Sequence, residues 1–365
     1  MKKDYIYIGE NAVKIHTKCR WEWIFLLTAF LIILTSGTTE AAGPEDMKTS
    51  ILSRFSLKIG GGIGFLSGRG GDLDSLRLGL KGLLEVWGAE TTYTNTFDWN
   101  PMTKNCDFPV ELMVSLKPGV SIGLGSGFIN ADNQGSYMWD YYNAAFLYGS
   151  GFIDDNNIKT THDFRFRVIP ACVNIYLSQP LGALTVYSFG GIGFYWGKMT
   201  HSSTIDYEIK SETFLSYYTP PFHRKREEYG NLTIEENLRK GSLGFQGGVG
   251  SEILLFRGLV LGLEIYGRHL VFSRWEGDTT TDYTKLIKTW DYLDGWYPDI
   301  TETGTITKKG ILWFSQIYDP LLGRDIDAFV VEEAGALTGP EREARIELSS
   351  IGIHLTLRIY FGRSF

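Results

Sequence analysis

The C-terminal stretch IGIHLTLRIYFGRSF, residues 351–365, decides the fold that we expect for this chain. Its apolar and polar side chains alternate, which is typical of a β-strand with one apolar face. The apolar face carries Ile351, Ile353, Leu355, Leu357, Ile359 and Phe361, and the other face carries His354, Thr356, Arg358 and Tyr360. The pattern therefore predicts a strand whose two faces lie in different environments.

The same alternation recurs in seven segments upstream of this strand. Together with the C-terminal segment they predict strands near residues 53–67, 109–116, 119–131, 162–178, 182–200, 241–256, 258–273 and 345–363. In the fourth segment the apolar face changes register near Pro170, which predicts a bulge or kink. We expect an all-β chain with a single domain over residues 43–365.

The connections between the predicted strands alternate in length. The connections after the second, fourth and sixth strands are tight turns such as KPG, whereas residues 67–108, 132–161, 200–241 and 273–345 form long connections. Turns at one end and long loops at the other predict a closed antiparallel up-and-down transmembrane β-barrel with short periplasmic turns and long extracellular loops. We expect eight strands. As an alternative, the apolar stretches KLIKTWDYL and GILWFSQIY add two spanning strands, making ten, or form a hairpin above the membrane.

The two faces of the predicted strands differ in charge. One face is almost purely aliphatic and aromatic, and the other includes Lys58, Glu111, Arg165, Arg167, Glu252, Glu264, Arg268, His354 and Arg358. A membrane barrel directs the apolar face to lipid, whereas a soluble lipocalin-like barrel directs it to an internal ligand. We favour the membrane barrel, because it also explains the difference between loops and turns. We therefore expect a lumen network that links Glu252 and Glu264 to Arg268, Arg165, Arg167 or Arg358.

The N-terminus has the pattern of an export signal. Basic residues precede the apolar run Ile24–Leu34, and small residues follow it. We predict a signal peptide over residues 1–42, with a signal anchor as the alternative.

The C-terminal strand also resembles the targeting signal of outer-membrane barrels. Leu357, Ile359, Phe361 and the terminal Phe365 occupy its expected positions, and Arg363 departs from the pattern. Nearly all of the mature chain is similar in architecture to small barrels of the OmpA, OmpX and OmpW type. The resemblance implies location in the cell outer membrane and assembly by the barrel machinery. It implies contact with outer-membrane lipid and lipopolysaccharide, an unknown extracellular ligand, and a monomer.

Chemistry is harder to derive from these residues. A net charge of −7 argues against nucleic-acid binding. The sequence contains no HExxH or CxxC motif, so we expect no enzyme activity, no cofactor and no metal. The expected role is structural or surface-interacting, with narrow passage or binding of a small solute as a further possibility. The alternative is a barrel enzyme that acts on lipid or peptide, for which His162, His201 and His223 are candidate bases at the loop end.

Two smaller features lead to further expectations. In residues 72–88, leucines recur at helical spacing, which predicts a short amphipathic helix in the first long connection. We expect Cys106 and Cys172 to lie too far apart along the barrel for a disulfide.

Overall fold

The computed structural model describes residues 54–88, 93–147, 150–215, 222–256, 258–319, 324–332 and 342–361. The expected signal peptide over residues 1–42 and the terminal Phe365 lie outside these ranges, so both stay predictions.

Antiparallel strands make up most of the described chain, as the alternating sequence predicts. The first half contains β1 (Phe55–Leu66), α1 (Asp72–Gly88), β2 (Tyr93–Trp99), β3 (Lys104–Lys117), β4 (Val120–Leu147), β5 (Ser150–Leu181) and β6 (Leu184–Leu215). The second half contains β7 (Phe222–Phe256), β8 (Leu259–Ser273), β9 (Glu276–Asp291), β10 (Gly295–Trp296), β11 (Ile300–Asp319), β12 (Arg324–Glu332), β13 (Arg342–Glu343), β14 (Arg345–Glu347) and β15 (Ser350–Tyr360).

Eight of these strands form a ring, because each is hydrogen-bonded to a neighbour on both sides. The order is β1, β3, β4, β5, β6, β7, β8 and β15, and β15 then pairs with β1. Each ring strand overlaps one of the predicted segments. Over the described residues the sheet as a whole has 15 strands, however, so it is larger than the expected eight-stranded architecture.

The sheet continues far beyond the ring at the end opposite the tight turns. β4 and β5 stay paired as far as Leu147 and Ser150, and β6 and β7 as far as Leu215 and Phe222. The expectation of long loops over residues 132–161 and 200–241 is therefore wrong. Strand pairing persists there because β2 covers the free edge of β4 and β9 covers the free edge of β7, so the backbone groups keep partners.

We call this part the extended sheet: β2, β9, β11 and residues 132–147, 150–161, 200–215 and 222–241 of the long strands. Of the two apolar stretches of the last long connection, KLIKTWDYL lies in β9 up to Asp291, and GILWFSQIY lies in β11. β9 pairs with the outer part of β7, and β11 pairs with β9. Both strands thus extend the sheet rather than the ring, which excludes the ten-stranded alternative for the ring.

The ring exposes apolar side chains on its outer face and buries charged ones inside. We call the exposed set the apolar belt: Ile63, Phe65, Leu112, Leu124, Phe128, Ile169, Val173, Ile175, Ile192, Phe194, Trp196, Leu243, Phe245, Val249, Leu263, Ile265, Ile351, Ile353 and Leu355. Lys58, Glu111 and Glu264, by contrast, are buried. This is the reverse of a soluble barrel around an apolar ligand, so the lipocalin-like alternative does not fit.

Strand β5 alternates without interruption across Pro170. Val168, Pro170 and Cys172 are buried, and the pairing of β5 with β6 keeps one register from Gly151 to Leu181. The expected bulge or kink is therefore absent from this strand. Proline is tolerated because only its own donor is missing, while the strands on either side hold the register.

The helix α1 forms where the leucine spacing predicts it, with the same bounds. Leu73, Leu76, Leu80 and Leu84 are buried on one face, and the first three pack into the core at the loop end of the ring. Asp72 accepts hydrogen bonds from Nη1 and Nη2 of Arg342, at 2.5 and 2.6 Å, and from the backbone N–H of Arg345 at 2.6 Å. The helix is thereby tied to the segment that leads into the last strand. Within the described residues, no helix has both the length and the hydropathy needed to cross a membrane.

Candidate functional site

A cluster of buried charges fills the turn end of the ring, and Lys58 lies at its centre. Its Nζ is 2.7 Å from Glu264 and 3.1 Å from Glu111, and it donates to the hydroxyl of Tyr176 at 2.6 Å. The hydroxyls of Tyr176 and Tyr187 donate to Glu111 and Glu264 at 2.5 and 2.7 Å. A cation between two carboxylates, with further donors on their oxygens, is the arrangement that stable burial of charge requires.

The same cluster continues through His354 and Asp107. His354 Nδ1 is 3.6 Å from Glu264, and its Nε2 is 3.3 Å from Asp107, which also forms a buried ion pair with Arg268. Separately, Arg358 lies 3.4 Å from Glu252 and donates from Nε to Ser56 at 2.9 Å. The described interior of the ring therefore holds linked pairs of opposite charge.

The structure brings together seven of the predicted lumen residues: Lys58, Glu111, Glu252, Glu264, Arg268, His354 and Arg358. Arg165 and Arg167 do not join them, and that part of the prediction is wrong. Both are exposed on the outer face of β5, and Arg165 pairs with Asp163. The error follows from the expected change of register at Pro170, because uninterrupted alternation puts these arginines on the same side as Ile169.

Sequence reasoning missed three members of the cluster, which are Asp107, Tyr176 and Tyr187. Asp107 was missed because the second predicted strand began at residue 109, whereas β3 begins at Lys104. The sequence could have indicated it, because Asp107 lies four positions before Glu111 in the same strand. Residues an even number of positions apart in a strand face the same side. For the assembly signal, Leu357, Ile359 and Phe361 lie on the outer face as expected.

The interior leaves little free space. A cavity of about 40 Å³ lies among Lys58, Asp107, Glu111 and Glu264, which is room for a few water molecules. Gly123 leaves room for the carboxylate of Glu111, since a Cβ at this position would collide with Oε1 of Glu111. Towards the loop end the interior becomes apolar, with buried Phe164, Phe166, Tyr195, Met199, Phe272 and Trp275 in one core with the leucines of α1.

A second polar group lies beyond the apolar belt, where β5 passes into the extended sheet. His201 Nδ1 is 2.9 Å from Glu236 Oε2, and His201 Nε2 is 3.1 Å from His162 Nδ1. With Glu236 ionised and His201 neutral, Nδ1 of His201 donates to Glu236 and its Nε2 accepts from Nδ1 of His162, which leaves a lone pair on Nε2 of His162. This atom is shut off from solvent and has no hydrogen-bond partner among the described residues.

Aromatic rings enclose this His–His–Glu chain. Phe164 stacks on His201 with ring centroids 3.9 Å apart, and Trp99 stacks on His162 at 4.8 Å. Burial, and secondarily the neighbouring His201, lower the pKa of His162 to about 3. His162 is therefore neutral at physiological pH, as a buried base without a carboxylate of its own should be.

The third predicted histidine lies elsewhere. His223 Nε2 is 2.5 Å from Glu212 in the outer part of the extended sheet, where its ring stacks on Phe214. The loop-end histidines are thus divided between two places. Within the described ranges, no group of three or more His, Cys, Asp or Glu side chains has an arrangement suited to a metal ion. No disulfide joins Cys106 and Cys172, as expected.

Comparisons with known proteins add little to this geometry. No family model matches the chain, and no curated protein matches it. Among solved structures, the outer membrane protease OmpT from Escherichia coli is 9% identical with a TM-score of 0.19, covering 84% of this chain and 94% of that chain. A mutant ferric enterobactin receptor, PfeA from Pseudomonas aeruginosa in complex with enterobactin, is 8% identical with a TM-score of 0.11, covering 88% and 82%. At these scores the likeness carries no argument about this chain.

Replacing the central cation tests the buried cluster. Lys58→Met leaves Glu264 and Glu111 buried without their shared counter-charge, so we expect unfolding free energy to fall by about 3–5 kcal/mol. Lys81→Met is the matched control, because it breaks the exposed ion pair with Glu85, for which about 0.5 kcal/mol is expected. Urea unfolding of both variants measures the difference, and equal losses would contradict the assignment.

The neutral state of His162 predicts a dependence of stability on pH. The unfolded chain takes up a proton near the ordinary pKa of 6.5, whereas the folded chain resists it until about 3. Stability therefore falls as pH drops through this window, by about 1–2 kcal/mol at about pH 5. His162→Phe keeps the ring stack and should remove this part of the drop, whereas His223→Phe should retain it. Urea unfolding at about pH 7.5 and 5 tests this, and an unchanged drop in His162→Phe would count against it.

Proposed function

We propose that this chain is a β-barrel of the outer membrane with a closed lumen, and that it presents the extended sheet outside the membrane for surface contact. In this proposal the role is structural and interactive, without enzymatic activity. The observation that carries it is the separation of the ring into an exposed apolar belt and a buried set of paired charges.

The belt supports the membrane part of the proposal. Side chains such as Ile63, Leu263 and Ile353 are about half exposed, and a soluble protein rarely leaves so many in one continuous surface. Bilayer spanning requires that every backbone polar group is paired inside the protein, which a closed ring of strands achieves. The ring strands β1 and β15 have 12 and 11 residues, close to the roughly 9–11 that a tilted spanning strand needs.

The filled interior supports the absence of conduction. The charged cluster blocks the turn end, the apolar core with α1 blocks the loop end, and the cavity between the lumen charges is about 40 Å³. Narrow passage of a solute would require both fillings to move. The extended sheet, by contrast, exposes charged side chains such as Lys159, Lys308 and Lys309 on a broad surface suited to polar partners.

Bilayer insertion and conductance test the proposal. The full chain should insert into vesicles and resist unfolding in a gel until heated, and planar bilayers should show no channel events. Leu263→Arg puts a charge in the belt and should impair insertion, since a lipid-facing Arg near the midplane costs about 2–4 kcal/mol. Ile306→Arg is the control, because Ile306 is equally exposed, at 51% against 50%, but lies in the extended sheet. Steady channel events would reject the closed lumen, and equal insertion of the two variants would reject the belt.

A second candidate function is catalysis on lipid or peptide by the His–His–Glu chain. It is favoured by one observation, that Nε2 of His162 and Oγ of the neighbouring Ser203 are both buried without hydrogen-bond partners among the described residues. A base oriented by a carboxylate-bound partner beside a hydroxyl is a combination that nucleophilic catalysis uses. Hydrolysis of lipid esters or peptides that is lost in His162→Gln and in Ser203→Ala, but kept in His223→Gln, would establish this candidate. Absence of hydrolysis by the unaltered chain would reject it.

A further inference from the structure

Three cations lie side by side on the outer face of the sheet. Arg167 on β5 is paired with Lys198 on β6, and Lys198 is paired with Arg239 on β7. All three side chains are exposed. We call them the cationic row.

The row borders the apolar belt. Ile169 and Trp196 lie two residues further along the same strands and face the same way, with exposures of 41% and 52%. A groove of about 500 Å³ joins the two sets, lined by Arg167, Lys198 and Arg239 together with Ile169, Trp196 and Glu276. The outer surface therefore changes from strongly apolar to strongly basic over two residues along each strand.

The positive charges of this row outnumber the negative ones beside them, because Glu276 is the only acidic residue among the described residues that line the groove. Like charges at directly paired positions repel, since the side chains start about 5 Å apart. Within the described residues none of the three forms an ion pair. Glu276 lies opposite Arg239, but it already pairs with Arg274 at 3.1 Å. By contrast, Arg165 on the same strand is held by Asp163.

The geometry points to an anion as the missing partner, and the position beside the belt identifies its class. We propose that the cationic row binds the phosphate group of an anionic lipid whose acyl chains lie along Ile169 and Trp196. Arginine and lysine side chains grouped at the edge of a membrane attract such headgroups. This inference rests on the proposed function, because it needs the belt to lie in a bilayer. Free inorganic phosphate would be recognised by the same three cations, but it has no acyl chains to contact Ile169 and Trp196.

Lipid selection by the inserted chain tests the site. The full chain is placed in nanodiscs of phosphatidylcholine with a minor fraction of phosphatidic acid, and the lipid that stays bound in detergent is counted by native mass spectrometry. The unaltered chain should retain phosphatidic acid over phosphatidylcholine, and the triple variant Arg167→Gln, Lys198→Gln, Arg239→Gln should lose at least about tenfold of that preference. The matched control, Lys81→Gln, Lys159→Gln, Lys309→Gln, removes the same charge from exposed positions off the belt and should keep it.

The single variant Lys198→Gln gives a readout that a purely structural role would not produce. In phosphatidylcholine alone it should be at least as stable as the unaltered chain, because the repulsion at the centre of the row is relieved. In bilayers with phosphatidic acid it should be the less stable of the two. Lower stability in both lipids would overturn the proposal. Because only one residue is changed, the single variant tests the site even if the triple variant does not fold.

The remaining outcomes separate the two proposals. Displacement of phosphatidic acid by equal inorganic phosphate would overturn a lipid site in favour of a phosphate site. Insertion without selection of phosphatidic acid, or equal loss in the control, would overturn the site and leave the barrel proposal intact. Failure of the unaltered chain to enter any bilayer would overturn both.

Discussion

The hydrogen bonds between β1 and β15 are the constraint on which the rest of the structure depends. They join the first and last strands of the ring in one continuous register, from Ser56 with Tyr360 to Leu66 with Ser350. Without them the sheet would have two free edges, and the inner faces of the strands would be open to water. Closure defines an inside, and an inside only wide enough for side chains must be filled by the side chains themselves.

The interior is filled in two different ways along its length. At the turn end each buried charge finds a partner of opposite sign, as Lys58 does between Glu264 and Glu111. At the loop end the filling is aromatic and aliphatic, and α1 supplies part of it. Buried charged side chains specify a unique arrangement only if every one of them is paired. Buried apolar side chains have to fill the available volume with close contacts. The two fillings together occupy the described interior of the ring from one end to the other.

Alternation in the sequence predicts the ring strands, the direction of their two faces and most of the lumen charges, because a half-exposed strand must alternate. It predicts less well where a strand continues after its apolar face ends. In the extended sheet both faces are partly exposed, so residues 132–161 and 200–241 lack the contrast that marks the ring strands and were expected to be loops. Arg165 and Arg167 were misplaced because Pro170 suggested a break that pairing on both sides prevents. The contact between His162, His201 and Glu236 joins three strands, and spacing along one chain does not reveal it.

The link between Asp72 and Arg342 has a consequence for assembly. These residues are 270 positions apart in the chain, so their contact closes a very long loop and carries a correspondingly large entropic cost. Until the segment before β15 arrives, Asp72 lacks its partners, and the buried leucines of α1 have only part of their packing surface. Closure of the ring and packing of α1 therefore depend on the same C-terminal segment. A chain in which β15 has not paired with β1 therefore has both a free strand edge and a helix α1 without its tie to Arg342.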